Sequence, residues 1–350
     1  MSIFKLPGEF AEKVTNLEEP VTLIVNDATR PSPASYLSHL EYHLPERFRI
    51  LFATGTHRAV TEEECLRILG AMKRLPNEMA SNDCDDGSHV FLGKTSAGTP
   101  VDVHPWLLEG SSLAVNTVEP HYFAGFTGGR KSFLPGCSSR RTVVANHFLG
   151  CLPGAEPGKL EGNPVHLDMV EGTRMLFSET RCLMINGVAG SSEVFYGSPE
   201  GTFLDAAAVS AERFAVPVTE RYTSLEIIPG GALHESLYQS LKAVFMWAPA
   251  VADGGILVLN AECPQGLGAP QMHRLLQASR SSFPAPSSHD RYLLGDHAAL
   301  RLSRIRQRIR LSFRTGIDMG AYGFEEPPAV CRDTVEEAGF FYPVMDGDNA

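Results

Sequence analysis

Short runs of Val, Ile and Leu separated by amphipathic stretches set the pattern of this chain. The runs are "VTLIVND" (21–27), "RFRILFATGT" (47–56), "RCLMINGV" (181–188), "SLEIIPGG" (224–231), "GGILVLNAE" (254–262) and "RIRLSF" (308–313). Near-continuous apolar runs of this length suit strands buried on both faces, as in parallel sheets covered by helices. Between them, Thr61 and Glu64 have capping-box spacing, and Cys65, Ile68, Leu69 and Met72 fall on one helical stripe. The stretch "LHESLYQSLKAVFMWA" (233–248) reads as a further helix after a Gly-Gly turn, "ASRSSFPAPSSHD" (278–290) as an exposed loop, and "DTVEEAG" (333–339) as a short helix. Strand and helix signals alternate, which predicts an α/β fold of doubly wound, Rossmann-like type.

The chain has 350 residues, 43% of them hydrophobic, more than one core usually serves. Two α/β domains are therefore expected, residues 1–222 and 223–350, with the active-site cleft between them. Charge narrows the partners. With 30 basic against 41 acidic residues and a formal net charge of −11, the basic footprint needed to bind nucleic acid is missing. Seven cysteines are scattered without a C-x-x-C pair, and the odd count argues against a disulfide framework. The N-terminal sequence lacks a basic segment followed by an apolar run, and no window approaches the length needed to span a bilayer. A soluble, cytoplasmic protein without a membrane partner is the expectation.

Candidate chemistry sits where strands end, the usual ligand-binding edge of an open α/β sheet. "VNDATRP" holds Asp27 and Arg30, a possible helix cap and ion pair on one reading and a fork for a carboxylate or phosphate on the other. His57 lies in "ATGTHR" and His121 in "EPHYF", each open either to packing or to proton transfer. Two such histidines together suit an enzyme that removes and returns protons on opposite faces of one substrate, and racemisation is the simplest task of that kind. Lys131 lies in "TGGRKSFLPG", where Gly128 and Gly129 let backbone approach a ligand; the segment is not a Walker A loop. A solvated lysine beside an anion nest and a lysine bonded covalently to a cofactor are both open readings. His147 has no second histidine three or four residues away, so a self-contained metal cage is not indicated. Gln239 and Lys242, spaced i, i+3, share one helical face.

In order, D-x-T-R-P, G-T-H-R, E-P-H-x-x-A-G-x-x-G-G-x-K-x-x-x-P-G, a histidine sixteen residues on, E-G-N-P-V-H, Y-Q-x-x-K and A-E-C-P-x-G-L-G resemble the lactate racemase family that uses a nickel-pincer nucleotide. The resemblance runs over roughly residues 20–270. It implies two α/β domains around a nicotinate-derived mononucleotide that holds nickel, tethered through Lys131, with His147 as the protein ligand to the metal. It makes His57 and His121 the acid/base pair, places the substrate on Arg30, Gln239 and Lys242, and assigns Asp27 and Phe123 to the cofactor's surroundings. The implied reaction inverts C2 of a 2-hydroxy acid by hydride transfer to and from the cofactor, which separate cofactor-synthesis proteins make. Thr127 and Ala298 stand where the family commonly has serine and lysine, and "GGALHES" precedes "YQSLK" without the usual proline and aspartate. Two rivals remain: a zinc-dependent hydrolase using the same histidines, and a non-catalytic protein that binds the nucleotide.

Overall fold

In the computed structural model, which describes residues 6–30, 32–70, 72–339 and 341–345, the apolar runs become strands. The first sheet is built from β1 (Val21–Asn26), β2 (Phe48–Ala53), β3 (Glu78–Ser81), β4 (Ser111–Val118), β5 (Arg181–Val188) and β6 (Val194–Gly197), in the order β6–β5–β4–β1–β2–β3. Neighbours are parallel except for β6, which runs antiparallel to β5. The chain winds outward from β1 to β3, then returns to lay β4 on the other side of β1. That reversal opens a crevice at the carboxyl ends of β1 and β4, where ligands bind in doubly wound sheets. Val21, Leu23 and Val25 of β1, Leu113 and Val115 of β4, and Leu183 and Ile185 of β5 belong to one buried cluster with Phe10, Leu37, Leu40 and Ile68.

β4 has no continuous apolar run, yet all eight of its residues are buried. Some of its polar members are met in place: the Ser111 hydroxyl accepts a hydrogen bond from the Glu18 backbone N–H at 2.9 Å.

A second sheet contains β7 (Tyr222–Pro229), β8 (Val251–Asn260), β9 (Arg310–Arg314) and β10 (Asp333–Ala338), all parallel, in the order β9–β8–β7–β10. The stretch expected to be a short helix at 333–339 is instead this edge strand, registered with Leu225 opposite Asp333. Pairing to β7 overrides the helical preference of its Glu-Glu-Ala, and Thr334 and Val335 suit the extended form. Of the Ser- and Pro-rich stretch 278–290, residues 279–288 carry neither helix nor strand, as the composition predicts, while Ala278 ends a helix and His289 opens a 3₁₀ turn.

The helices that matter below are α1 (Glu62–Leu69), α2 (Arg140–Phe148), α3 (Pro164–Glu179), α4 (Pro199–Phe214), α5 (Leu237–Trp247) and α6 (Asp296–Arg308). The chain divides into two compact units, one comprising Met1–Glu119, Thr127–Asn146 and Pro164–Ser210, the other Pro120–Phe126, His147–Asn163 and Ala211–Ala350. A single cut near residue 222 does not describe the two early segments of the second unit. All seven cysteines are unbridged. No helix among the described residues is long and apolar enough to cross a membrane. Pro31, within the D-x-T-R-P motif, lies outside the described residues.

The capping box at α1 is present: the Thr61 hydroxyl accepts from Glu64 N–H at 3.2 Å, and the Glu64 carboxylate accepts from Thr61 N–H at 2.9 Å. Thr61→Ala removes one of these partners and is expected to lower stability by about 1 kcal/mol in urea unfolding.

Candidate active site

In the first unit the candidate residues gather at the carboxyl ends of three adjacent strands. Just after β1, one Asp27 carboxylate oxygen accepts from the backbone N–H of Thr29 at 3.0 Å and from its hydroxyl at 2.6 Å, an Asx turn that fixes the aspartate. The other oxygen lies 2.6 Å from Nδ1 of His57, in the loop after β2. Asp27 therefore caps no helix here and is committed to His57. Its side chain is 8% exposed and that of His57 40% exposed, so the dyad has a buried carboxylate and an accessible ring. Burial pushes the Asp27 pKa up, but hydrogen bonds from His57 and Thr29 and the charges of His57 and Arg30 outweigh it and hold the group at about 2. A carboxylate that is ionised at neutral pH fixes the Nδ1–H tautomer of a neutral His57 and leaves Nε2 as the basic nitrogen.

Arg30 reaches from the end of β1 to the end of β4, where its Nη1 donates to the Glu119 carboxylate at 2.7 Å. Glu119, with a side chain 8% exposed, is held by its backbone: its N–H donates to the Thr127 hydroxyl at 3.0 Å, and its carbonyl accepts from Thr127 N–H at 2.8 Å. The glutamate that orients Arg30 stands directly before Pro120 and His121 in the sequence. The acid of the E-P-H motif was its only signal.

Lys131 lies half-buried in the 3₁₀ turn Gly129–Ser132, and its backbone carbonyl accepts from Gly136 N–H at 3.0 Å, which closes the glycine-rich loop. Gly136 in turn accepts from Gly55 N–H at 2.9 Å, joining this loop to the one that carries His57. The sequence reading gave Gly128 and Gly129 a role in admitting a ligand; their surroundings give another reason. Both have positive φ, and a Cβ on Gly129 would come within 2.4 Å of the Phe203 ring. The space left by their missing side chains is filled by protein.

Three buried asparagines dock this loop. The register sets Asn116 of β4 opposite Asn186 of β5 and Val25 of β1 opposite Val115, so Asn26 follows level with Asn116. The Asn186 side-chain oxygen accepts from Gly129 N–H at 3.2 Å, and the Ser132 hydroxyl bonds the oxygen of Asn116 and lies 3.4 Å from that of Asn26.

The second unit holds the other candidates. His121 stacks on Tyr122, with centroids 5.0 Å apart, and meets Phe123 edge-on at 4.6 Å. Its Nδ1 accepts from Ala124 N–H at 3.3 Å, so a neutral ring carries its proton on Nε2. Asn163, of the E-G-N-P-V-H motif, donates to the Phe123 carbonyl at 3.0 Å. The motif's His166 belongs to the first unit. His147, at the end of α2, packs edge-on to Phe123 at 5.2 Å. Beside it, at 5.8 Å, is His297, which the sequence reading did not single out although it lies in "YLLGDHAAL". Both ring nitrogens of His297 meet tyrosine hydroxyls, Tyr122 at 2.9 Å and Tyr292 at 2.5 Å. Burial, with a smaller push from Arg301, lowers its pKa to about 3 and keeps it neutral. Gln239 and Lys242 share a face of α5 as predicted, and the lysine ammonium donates to the Gln239 side-chain oxygen at 2.5 Å.

Comparison with known proteins gives a consistent picture. Residues 8–158 match the lactate racemase N-terminal domain family. The chain is 28% identical over 278 residues to a lactate racemase of Thermoanaerobacterium thermosaccharolyticum, covering 74% of this chain and 64% of the relative. It is 30% identical over 272 residues to a lactate racemase of Lactiplantibacillus plantarum, covering 73% and 63%. Each match thus takes in less than two thirds of the relative's length. In fold, the structure resembles the lactate racemase apoprotein of T. thermosaccharolyticum with a TM-score of 0.86 at 24% identity, over 97% of this chain and 90% of the other. It also resembles a Thermotoga maritima protein, with a TM-score of 0.74 at 16% identity, over 96% of each chain.

The depressed Asp27 pKa makes a testable contribution to stability. A lowered carboxylate pKa stabilises the fold above the unfolded value and loses that contribution as pH falls through the folded value. Between pH 3.8 and about 2, the wild type should lose about 2 kcal/mol through this group. Asp27→Asn should lack that component in unfolding curves measured across the same range.

Proposed function

We propose, from the match of residues 8–158 to the lactate racemase N-terminal domain family, that the chain is an isomerase, a racemase or epimerase that inverts C2 of a 2-hydroxy acid with a nickel-pincer nucleotide. The observation that carries the reading is the 2.6 Å contact between Asp27 and Nδ1 of His57. It gives an accessible imidazole a defined basic nitrogen beside an oriented arginine, which is what removing a hydroxyl proton from a bound hydroxy acid requires.

The histidines divide the proton work. Nε2 of His57 accepts the substrate hydroxyl proton, with Asp27 stabilising the imidazolium that forms. His121, whose Nδ1 is occupied by Ala124 N–H, handles its proton at Nε2 and serves the opposite hand of the substrate. Arg30, set by Glu119, and Lys242, set by Gln239, hold the substrate carboxylate, so that the keto acid formed midway stays bound while it turns.

The residues fit the proposed cofactor. In the described residues of neither unit do His57, His121 or His147 join a group of three or more His, Cys, Asp or Glu side chains placed to hold an ion. His297, the nearby ring, has both nitrogens on tyrosine hydroxyls. A metal at His147 must therefore bring its remaining ligands with it, as one bound in an organic nucleotide does. Lys131 would tether that nucleotide, His147 would ligate its nickel, and Phe123 would pack beside it. When bound, it supplies a hydride acceptor that no side chain offers.

Co-production with the cofactor-synthesis proteins should give nickel, a mass increase on the peptide bearing Lys131, and loss of optical purity in a screen of chiral 2-hydroxy acids. His57→Ala should lower turnover by about 100-fold or more while nickel is retained. Lys242→Ala should weaken substrate use far more than nickel content. Stoichiometric zinc without the mass increase would replace this reading with the hydrolase, and bound nucleotide with no turnover of any acid would replace it with a carrier.

A further inference from the structure

Helix α6 carries arginines at 301, 304, 306 and 308, and the helical repeat puts Arg301, Arg304 and Arg308 on one face together with Ile305. In the second unit that face forms a wall of a cavity of about 360 Å³. Arg221, just before β7, lines the same cavity from another part of the chain, and Phe245 of α5 and Pro249 supply apolar surface. Among the described residues no acidic side chain lines it, in a chain whose formal net charge is −11.

The arginines divide into two kinds. Arg301 is held from within, its Nη2 donating to the carbonyls of Gly150, at 3.1 Å, and Ala155. Arg308 donates to the carbonyls of Ala248 and Val251 and to the Asp253 carboxylate at 3.0 Å. Off that face, Arg306 donates to the carbonyls of Tyr322 and Gly323. These three are committed to the fold. Arg221 and Arg304 are exposed, and among the described residues neither guanidinium has a hydrogen-bond or ion-pair partner.

An exposed arginine is ordinarily solvated, and one alone would mean little. Here two from separate elements face one concave wall without an acid, beside apolar surface that could take the rest of a ligand. A carboxylate is planar and carries one charge, enough for a single guanidinium fork. A phosphate monoester carries roughly −1.5 to −2 at neutral pH on three acceptor oxygens, enough for two. We infer that this cavity binds a small organic phosphate, its phosphoryl group bridging Arg221 and Arg304 and its apolar body resting on Phe245 and Ile305.

The electrostatics of the wall agree. Burial lowers the Arg301 pKa from its ordinary value, and the neighbouring Arg304 charge pushes the same way. Like charges three or four residues apart also destabilise a helix, so an anion on Arg304 offsets a repulsion built into α6. The inference does not depend on the racemase reading, because none of these residues is assigned there to substrate, proton transfer or cofactor.

Isothermal titration of the full chain with phenyl phosphate, benzoate and inorganic phosphate tests the site. Phenyl phosphate should bind with one-to-one stoichiometry. Benzoate, which lacks the second charge, and inorganic phosphate, which lacks the ring, should each bind at least about tenfold more weakly. Arg304→Glu and Arg221→Glu, both at exposed positions and checked for folding by circular dichroism, should each weaken phenyl phosphate binding at least about tenfold. No binding of phenyl phosphate at about 1 mM, equal affinity for benzoate or for inorganic phosphate, or undiminished binding in either variant would each overturn the inference.

Discussion

Three amide side chains at one level across β1, β4 and β5 are the constraint on which the first unit's candidate site depends. Asn26, Asn116 and Asn186 are 9%, 0% and 0% exposed, and a buried amide without hydrogen-bond partners costs more than the bond it fails to make. The side-chain oxygens of two of them are met by the glycine-rich loop itself, through Gly129 N–H and the Ser132 hydroxyl. The loop thus has one docked position. Its turn sets where Lys131 sits, and its far end, through Gly136 and Gly55, sets the approach to His57. Strand register, ordinarily a matter of core packing, here places the polar ends of the strands as well.

Around that frame, two basic candidates in the first unit, His57 and Arg30, are each oriented by an acid. Asp27 holds His57, and Glu119 holds Arg30. The acids are buried and the bases more exposed, which leaves the reactive groups open while their supports are protected from water. The second unit uses a different device. His121, Tyr122, Phe123, His147 and His297 pack ring against ring, and two tyrosine hydroxyls fix the central imidazole. Rigid aromatic contacts there do the positioning that ion pairs do in the first unit.

How much of this could be read from the chain depended on whether burial was apolar. β1, β2 and β5 announce themselves because Val, Ile and Leu fill them. β4 does not, since Ser111, Ser112, Asn116 and Thr117 are polar residues buried in its run, and the Ser111 hydroxyl and the Asn116 side-chain oxygen are met by neighbours distant in sequence. The central strand of the sheet was therefore the hardest to see. At the site, residue types and order were enough to single out His57, Arg30 and Lys131, because these stand in short polar loops after apolar runs. Partners such as Glu119 and His297 were out of reach, since only the fold brings residue 119 to residue 30 or residue 297 to residue 122. The strand at 333–338 failed for a related reason: an edge strand takes its conformation from the strand it joins.

The segments 120–126 and 147–163 belong to the second unit while the chain on either side of each belongs to the first. This threading bears on how the protein can be inherited. A recombination event that replaces everything after residue 210 exchanges Gln239, Lys242 and His297 but leaves His121, Phe123 and His147 from the original lineage. The edge-on contacts of the His297 ring with Phe123 and His147 would then have to be re-matched across two ancestries. The second unit, although separately compact, cannot be exchanged whole by a single cut in the chain.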